Sequence, residues 1–188
     1  MDESQLFEGK MEWLRWLEAY HASAQSLWLK IAKKNSGVTS VTYNEALDVA
    51  LCFGWIDSQK RPLDERFFLQ RFSVRGKASI WSKINRDKVL ALIGSGEMRA
   101  AGLAEVERAK ANGRWEAAYQ GSKNIQVPAD LEAALLANSK AHAFFKTLNA
   151  QNRYAILFRI GNVKKTETRA RNIMKFVTML EQGKTIYP

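Results

Sequence analysis

The sequence predicts an α+β protein that is predominantly helical, with a small three-stranded mixed sheet and packed helices, followed by a C-terminal helical bundle. Three observations support this fold class. Most segments place apolar residues at helical spacing, the stretch 26–74 contains three short strand signals, and residues 119–128 lack any periodicity. We therefore expect an α+β domain over residues 1–122 and a helical module over residues 123–188 that packs on it.

The first elements alternate between helix and strand. Apolar residues from Trp13 to Ala24 recur at helical spacing, whereas residues 26–33 alternate with the period of a half-buried strand. Thr42 followed by Glu45 is a capping box, which predicts a helix that Gly54 ends. Two strands joined by a turn then complete the small sheet.

Those last two strands are predicted over residues 55–59 and 67–74, with a turn at residues 61–64. Because a helix connects the strand at residues 26–33 to the strand at residues 55–59, those two strands are expected to be parallel if they are neighbours. After Gly76 every signal is helical. Ser82 or Asn85 is a candidate N-cap, Ile93 and Leu103 are expected to face inward, and four further short helices lie beyond residue 128.

Charge is concentrated in two regions of a chain whose formal net charge is +10. Residues 58–88 carry nine cations and three acids, and residues 159–175 carry six cations and one acid. Such regional excess favours an anionic partner: a small molecule, nucleic acid or an acidic protein surface. A basic face that only keeps the protein in solution accounts for the charge equally well.

Few residues are suited to catalysis. The two histidines, His21 and His142, lie in helical segments without a partner at metal-ligand spacing, so no metal site and no cofactor is predicted. Cys52 lies among apolar residues and is expected to be an inert core thiol. Asp57 is the acid or base candidate, although an ion pair with Arg71 or Lys33 is the more ordinary role for a strand carboxylate.

A strand rich in cations followed by a helix start is suited to holding an anion, because the first helical N–H groups have no partner within the helix. In the alternative interpretation, Trp81 fills the core, Ser82 only caps the helix and the cations face water. The predicted ligand-binding residues are Lys33, Trp55, Asp57, Arg71, Arg75, Trp81, Ser82 and Asn85. A secondary basic patch is predicted at Lys164, Lys165, Arg169 and Arg171.

Several blocks resemble the YdeI/OmpD-associated family, also called bacteriocin-protection proteins. They are WLKIAKK, TYNEALDVALCFGWIDS, SIWSKIN, GEMRAAGLAEVERAKANGRW, VPADLEAAL and KKTETRARNI, in this order from about Trp13 to Leu180. The resemblance implies a role in bacteriocin tolerance, with a helical family module from about Val127, and it implies no particular reaction. This chain has Ser73-Val74-Arg75-Gly76 where members commonly show Pro-Arg-Arg, and Arg171-Asn172-Ile173 where they show Arg-Arg-Ile.

The leading hypothesis is therefore a cytoplasmic protein of bacteriocin or stress tolerance that binds an anionic ligand or partner and does not insert into membranes. One alternative is an enzyme that acts on a small anionic substrate with Asp57 as acid or base. Another is a scaffold for protein interactions, which would show a flat exposed aromatic patch.

Overall fold

The computed structural model describes residues 4–119 and 125–188. Its contacts divide the chain into two compact units, Met1–Ala118 and Tyr119–Pro188. The domain boundary predicted at 122/123, and half of the predicted linker, lie outside the described residues. The first unit contains β1 (Ser4–Leu6), α1 (Lys10–Tyr20), β2 (Ser26–Ala32), α2 (Tyr43–Cys52), β3 (Trp55–Pro62), β4 (Phe67–Val74), α3 (Lys83–Gly94) and α4 (Ala100–Ala111). The second contains α5 (Ala129–Leu136), α6 (Ser139–Thr147), α7 (Ala150–Gly161) and α8 (Thr166–Glu181).

The sheet is mixed, as predicted, but it has four strands rather than three, in the order β1-β2-β4-β3. Strand β1 pairs parallel to β2 and is only three residues long, too short for its alternation to be recognised. The expected parallel pairing of β2 with β3 does not occur. Strand β4 lies between them and pairs antiparallel to both, because the tight β3–β4 connection makes these two strands a hairpin.

One face of the sheet packs against the helices. Leu29, Ile31 and Phe72 point toward that side and are at most 2% exposed, and they belong to one apolar cluster with residues of α1 and α2. Trp13 of α1 is at the centre of this cluster, and its indole N–H donates to the Ala46 carbonyl of α2 at 3.0 Å. This bond gives the buried indole a polar partner, which fixes α1 against α2.

The predicted helix signals are confirmed in atomic detail. Thr42 and Glu45 form the reciprocal capping box of α2, and Ser82 accepts the Asn85 amide at the start of α3. Gly54 follows α2 with φ of +73°, a conformation that favours glycine over any side chain. Ile93 and Leu103, predicted to face inward, are instead 39% and 41% exposed, since α3 and α4 bury narrower stripes than the periodicity indicated.

The four helices of the second unit follow the prediction closely and enclose their own core. Leu131, Ile156 and Leu180 are fully buried in it. Asp130 at the start of α5 forms a salt bridge with Arg169 of α8, whose guanidinium also donates to the Ile160 carbonyl at 2.7 Å. The Arg169 side chain thus connects α5, α7 and α8, and the apolar core includes side chains of all four helices.

None of the helices in the described residues is both long enough and apolar enough to cross a lipid bilayer.

Candidate functional site

A concave, positively charged cavity of about 570 Å³ lies at the hairpin end of the sheet. We call it the hairpin pocket. It is lined by Ala32, Lys33, Lys34, Lys60, Arg61, Pro62 and Phe68. Four of these seven residues are cations and none is acidic. Its volume is within the range of cavities that hold small organic ligands.

The hairpin turn is built from backbone hydrogen bonds. The side chain of Asp64 accepts the amides of Arg66 and Phe67, both at 2.8 Å, and these two bonds lower the pKa of Asp64. Lys33 lies just after β2. Its backbone amide donates to the Arg66 carbonyl at 2.7 Å, and its side-chain amino group donates to the Asp64 carbonyl at 2.8 Å. Lys33 thus connects the turn to β2 and keeps the two walls of the hairpin pocket in place.

Strand β3 continues three residues beyond its predicted end at Gln59. A register irregularity between Asp57 and Lys60 leaves two residues of β3 without counterparts in the regular pairing, after which Lys60 pairs with Gln70 and Arg61 with Leu69. Lys60 and Arg61 are therefore strand residues with opposite orientations, rather than residues of a turn. Both line the hairpin pocket from the β3 side.

Aromatic rings, and not carboxylates, contact two of the pocket cations. The Lys60 amino group lies 4.2 Å from the ring centre of Phe68, and the Arg61 guanidinium lies 4.6 Å from that of Trp28. Some cations outside the pocket do form ion pairs, as Lys88 does with Asp48 at 2.6 Å. Within residues 4–119 and 125–188, no ion pair involves a cation of the hairpin pocket. A contact with an aromatic ring brings no negative charge to the cation, so the cation can still form an ion pair with a ligand.

The face of the sheet opposite the helices is also basic. We call it the outer face; by strand register it carries Ser26, Trp28, Lys30, Ile56, Arg61, Leu69, Arg71 and Ser73. Lys30 and Arg61 flank Leu69 in one row, and Trp28 and Arg71 are paired in the next. The Arg71 guanidinium donates to the Ser26 hydroxyl at 2.8 Å. The outer face carries three cations and no acid.

The predicted residues Arg75, Trp81, Ser82 and Asn85 form a separate group, in which the first three are buried and Asn85 is partly exposed. The Arg75 guanidinium lies 3.8 Å from the ring centre of Trp81 and donates to the Ile80 carbonyl at 3.0 Å. Trp81 is 3% exposed and makes an edge contact with Trp115. Ser82 caps α3 by accepting the Asn85 amide at 3.1 Å. These contacts are the packing and capping roles of the alternative interpretation.

The predicted residues on the strands are divided between the two faces. Trp55 is 1% exposed and donates to the His21 carbonyl at 3.3 Å. Asp57 faces the helices, where it accepts the Tyr43 hydroxyl at 2.9 Å. The predicted ion pair of Asp57 with Arg71 is wrong, because their register places them on opposite faces. Lys33 does not provide the alternative partner, since it bonds the Asp64 carbonyl.

In the predicted secondary patch, Arg169 is held in its salt bridge with Asp130. Lys164, Lys165 and Arg171 are exposed at and after the α7–α8 connection. In the described part of the chain, no three His, Cys, Asp or Glu side chains are grouped so that they would hold a metal ion.

Sequence reasoning included Lys33 but missed Lys34, Lys60, Arg61 and Phe68. Lys60 and Arg61 were counted only in the charge excess, because the predicted strand ended before them. A signal was present: Lys60, Arg61 and Pro62 continue β3 directly, and a proline is tolerated on an edge strand such as this one.

The comparisons with known proteins divide the chain in the same way as its structure. Residues 124–183 match the family model described as bacteriocin-protection, YdeI or OmpD-associated, which confirms the predicted resemblance for the C-terminal part of the chain. Residues 5–105 match a different model, described as a domain of unknown function (DUF8412). No curated protein and no solved structure matches the chain. The bacteriocin-protection model matches only the C-terminal part of the chain, whereas the DUF8412 model covers more than half of the sequence, and the chain therefore belongs to the DUF8412 family.

Proposed function

We propose that this protein binds a small anionic ligand, or one anionic group of a larger ligand, in the hairpin pocket. The observation that carries the proposal is that four cations and no carboxylate line that cavity, and that none of the four forms an ion pair within the described residues. Four cations line it, and the groups that hold them are two aromatic rings and one carbonyl oxygen. Four like charges around one cavity repel each other, and a bound anion relieves that repulsion.

The individual cations have different roles in this proposal. Lys33 is engaged with the hairpin turn, so it stabilises the walls of the pocket. Lys34, Lys60 and Arg61 are exposed, and they supply the donors for the anion. Ala32, Pro62 and Phe68 form an apolar part of the lining, which favours a ligand with both an anionic group and an apolar portion.

Isothermal titration with AMP, pyrophosphate and uncharged adenosine tests the proposal. We expect AMP or pyrophosphate to bind and adenosine to bind at least about tenfold more weakly, which is about 1.4 kcal/mol. Raising the salt from about 50 mM to 200 mM should weaken the binding, because the pocket is open to solvent.

The double variant Lys34→Gln/Lys60→Gln removes two pocket charges from exposed positions. Its matched control is Lys146→Gln/Lys184→Gln, which removes two exposed charges from the second unit. We expect only the pocket variant to lose affinity. Equal affinity of the two variants, or no salt-sensitive binding of any anion, overturns the proposal.

Residues 124–183 match the bacteriocin-protection model, and this match supports the proposal that anion binding by this protein contributes to bacteriocin tolerance. A deletion strain complemented with the wild-type chain or with Lys34→Gln/Lys60→Gln tests it. We expect the wild type to restore survival under bacteriocin and the pocket variant to restore less. The cytoplasmic location is still a prediction, and cell fractionation would test it. The role of Asp57 as an acid or base is also still a prediction.

A further inference from the structure

We infer that the ligand of the hairpin pocket is single-stranded nucleic acid, whose chain continues from the pocket across the outer face of the sheet. The inference rests on the proposed function, since it requires an anion in the pocket. It adds a polymeric ligand class and a second contact surface. The observation behind it is that Arg61 lines the pocket and also belongs to the outer face.

The cations of the two surfaces meet at Arg61, which belongs to both. Lys30 of β2 and Arg61 of β3 lie on either side of β4. Their backbones are therefore two strand spacings apart, or about 9–10 Å. Arg71 lies in the next row of the same face. A nucleic-acid backbone carries a phosphate at each nucleotide, so several of its phosphates can contact these cations at once. A small anion would occupy only the pocket.

The aromatic contact of Arg61 favours an unpaired base over a duplex. Its guanidinium lies 4.6 Å from the ring centre of Trp28, and Trp28 is only 4% exposed and does not belong to the core cluster. Arg61 itself is exposed. Guanidinium planes stack on unpaired bases as aromatic rings do, so Arg61 both stacks and carries charge.

The lining of the pocket supports the same ligand. Phe68 and Pro62 provide apolar surface beside Lys60 and Lys34, and the cavity is of the size that one nucleotide requires. In a duplex the flat faces of the bases are hidden by stacking. An acidic peptide provides carboxylates but no flat ring at each residue, so it fits the charges and leaves the apolar lining unused.

Fluorescence anisotropy with a labelled single-stranded oligonucleotide of about eight nucleotides tests the inference, since this length is within the range that one single-strand-binding fold covers. Duplex DNA of the same sequence and poly-glutamate are the competing probes. We expect the single strand to bind at least about tenfold more tightly than AMP and than either competitor.

Variants separate the two surfaces. Lys30→Gln/Arg71→Gln should weaken oligonucleotide binding and leave AMP binding unchanged, whereas Lys34→Gln/Lys60→Gln should weaken both. A plot of the logarithm of the binding constant against the logarithm of the salt concentration has a negative slope. Each lost phosphate contact should reduce the magnitude of that slope by about 0.7. Lys146→Gln/Lys184→Gln should change neither affinity.

Arg61 distinguishes stacking from charge. Arg61→Lys keeps the charge without the planar group, so affinity should fall while the salt slope is kept, and Arg61→Gln should reduce both. If AMP binds but the oligonucleotide binds no more tightly, or if poly-glutamate or duplex competes equally, this inference is overturned and the proposed function stands. If neither AMP, pyrophosphate nor oligonucleotide binds, both are overturned.

Discussion

The guanidinium of Arg75 lies 3.8 Å from the ring centre of Trp81, in a part of the first unit where both side chains are at most 4% exposed. Both residues were predicted to hold a ligand, and here they contact each other. Trp115 packs against the edge of Trp81, and Arg108 donates to the Arg75 carbonyl at 3.2 Å. This arrangement connects the end of β4 to the start of α3 and the region after α4.

We therefore expect Trp81 to contribute strongly to stability. Trp81→Ala should lower the free energy of unfolding by about 3–5 kcal/mol, because it leaves a cavity and removes the ring that contacts Arg75. Urea unfolding followed by circular dichroism measures this. The control Ile84→Ala changes a neighbouring side chain that is 57% exposed, so it should have a small effect. Equal effects of the two variants would contradict the prediction.

Gly102 of α4 is expected to tolerate no side chain. A methyl group there would lie 2.8 Å from the Leu51 carbonyl oxygen and overlap the Cys52 carbonyl at the end of α2. Gly102→Ala should therefore cost about 1–3 kcal/mol, as α2 and α4 must move apart. Gly94→Ala is the matched control, because no neighbouring atom lies within 4 Å of the added carbon. Thermal unfolding of both variants checks the difference, and a Gly102→Ala protein as stable as Gly94→Ala refutes it.

Cys52 should be almost unreactive in the native protein. Burial raises the pKa of its thiol to about 11, so very little thiolate is present at neutral pH. We expect a chromogenic disulfide reagent to label Cys52 slowly in the native protein and at the rate of a free thiol in denaturant. Ser58→Cys, which adds a thiol at an exposed position, should gain one rapidly labelled group. Rapid labelling of native Cys52 would show that the site opens.

The Asp130–Arg169 salt bridge should make the second unit sensitive to acid. The hydrogen bond from Arg169 lowers the pKa of Asp130 below its ordinary value of 3.8. Because the folded-state pKa is depressed, the stabilisation is present above pH 3.8 and is lost as the pH falls through the folded-state value. Asp130 is partly exposed, so the effect at neutral pH should be about 1 kcal/mol or less.

Asp130→Asn measures this contribution. Its free energy of unfolding should be below that of the wild type at neutral pH and approach it in acid. Glu132→Gln removes a carboxylate from the same turn of α5 and serves as the control. A stability difference between Asp130→Asn and the wild type that does not change with pH would assign the effect to packing instead of charge.

Local structure was largely readable from the sequence. The capping box at Thr42, an N-cap at Ser82 and the end of α2 before Gly54 each depend on residues within a few positions of one another, and the structure confirms all three. The four helices of the second unit were predicted for the same reason, since one apolar stripe per helix defines each of them. Strand β4 was predicted with its observed bounds.

The candidate site was readable only in part. The charge excess over residues 58–88 contains Lys60 and Arg61, and Lys33 was among the predicted ligands. Composition does not show which cations share a cavity, however. Arg75 and Trp81 were chosen because they follow a strand and precede a helix, and burial against Trp115 is not visible in that local pattern.

The sequence by itself determined the α+β class, the caps at Thr42 and Ser82, the approximate position of most elements and the basic character of the sheet region. Tertiary structure decided the strand order, the pairing of short β1, the register irregularity before Lys60 and the meeting of Lys34 with Lys60 and Arg61 in the hairpin pocket. The physical reason is the range of the interactions. Caps and periodicity act over a few residues, whereas strand pairing and shared cavities depend on residues that only the complete fold brings together.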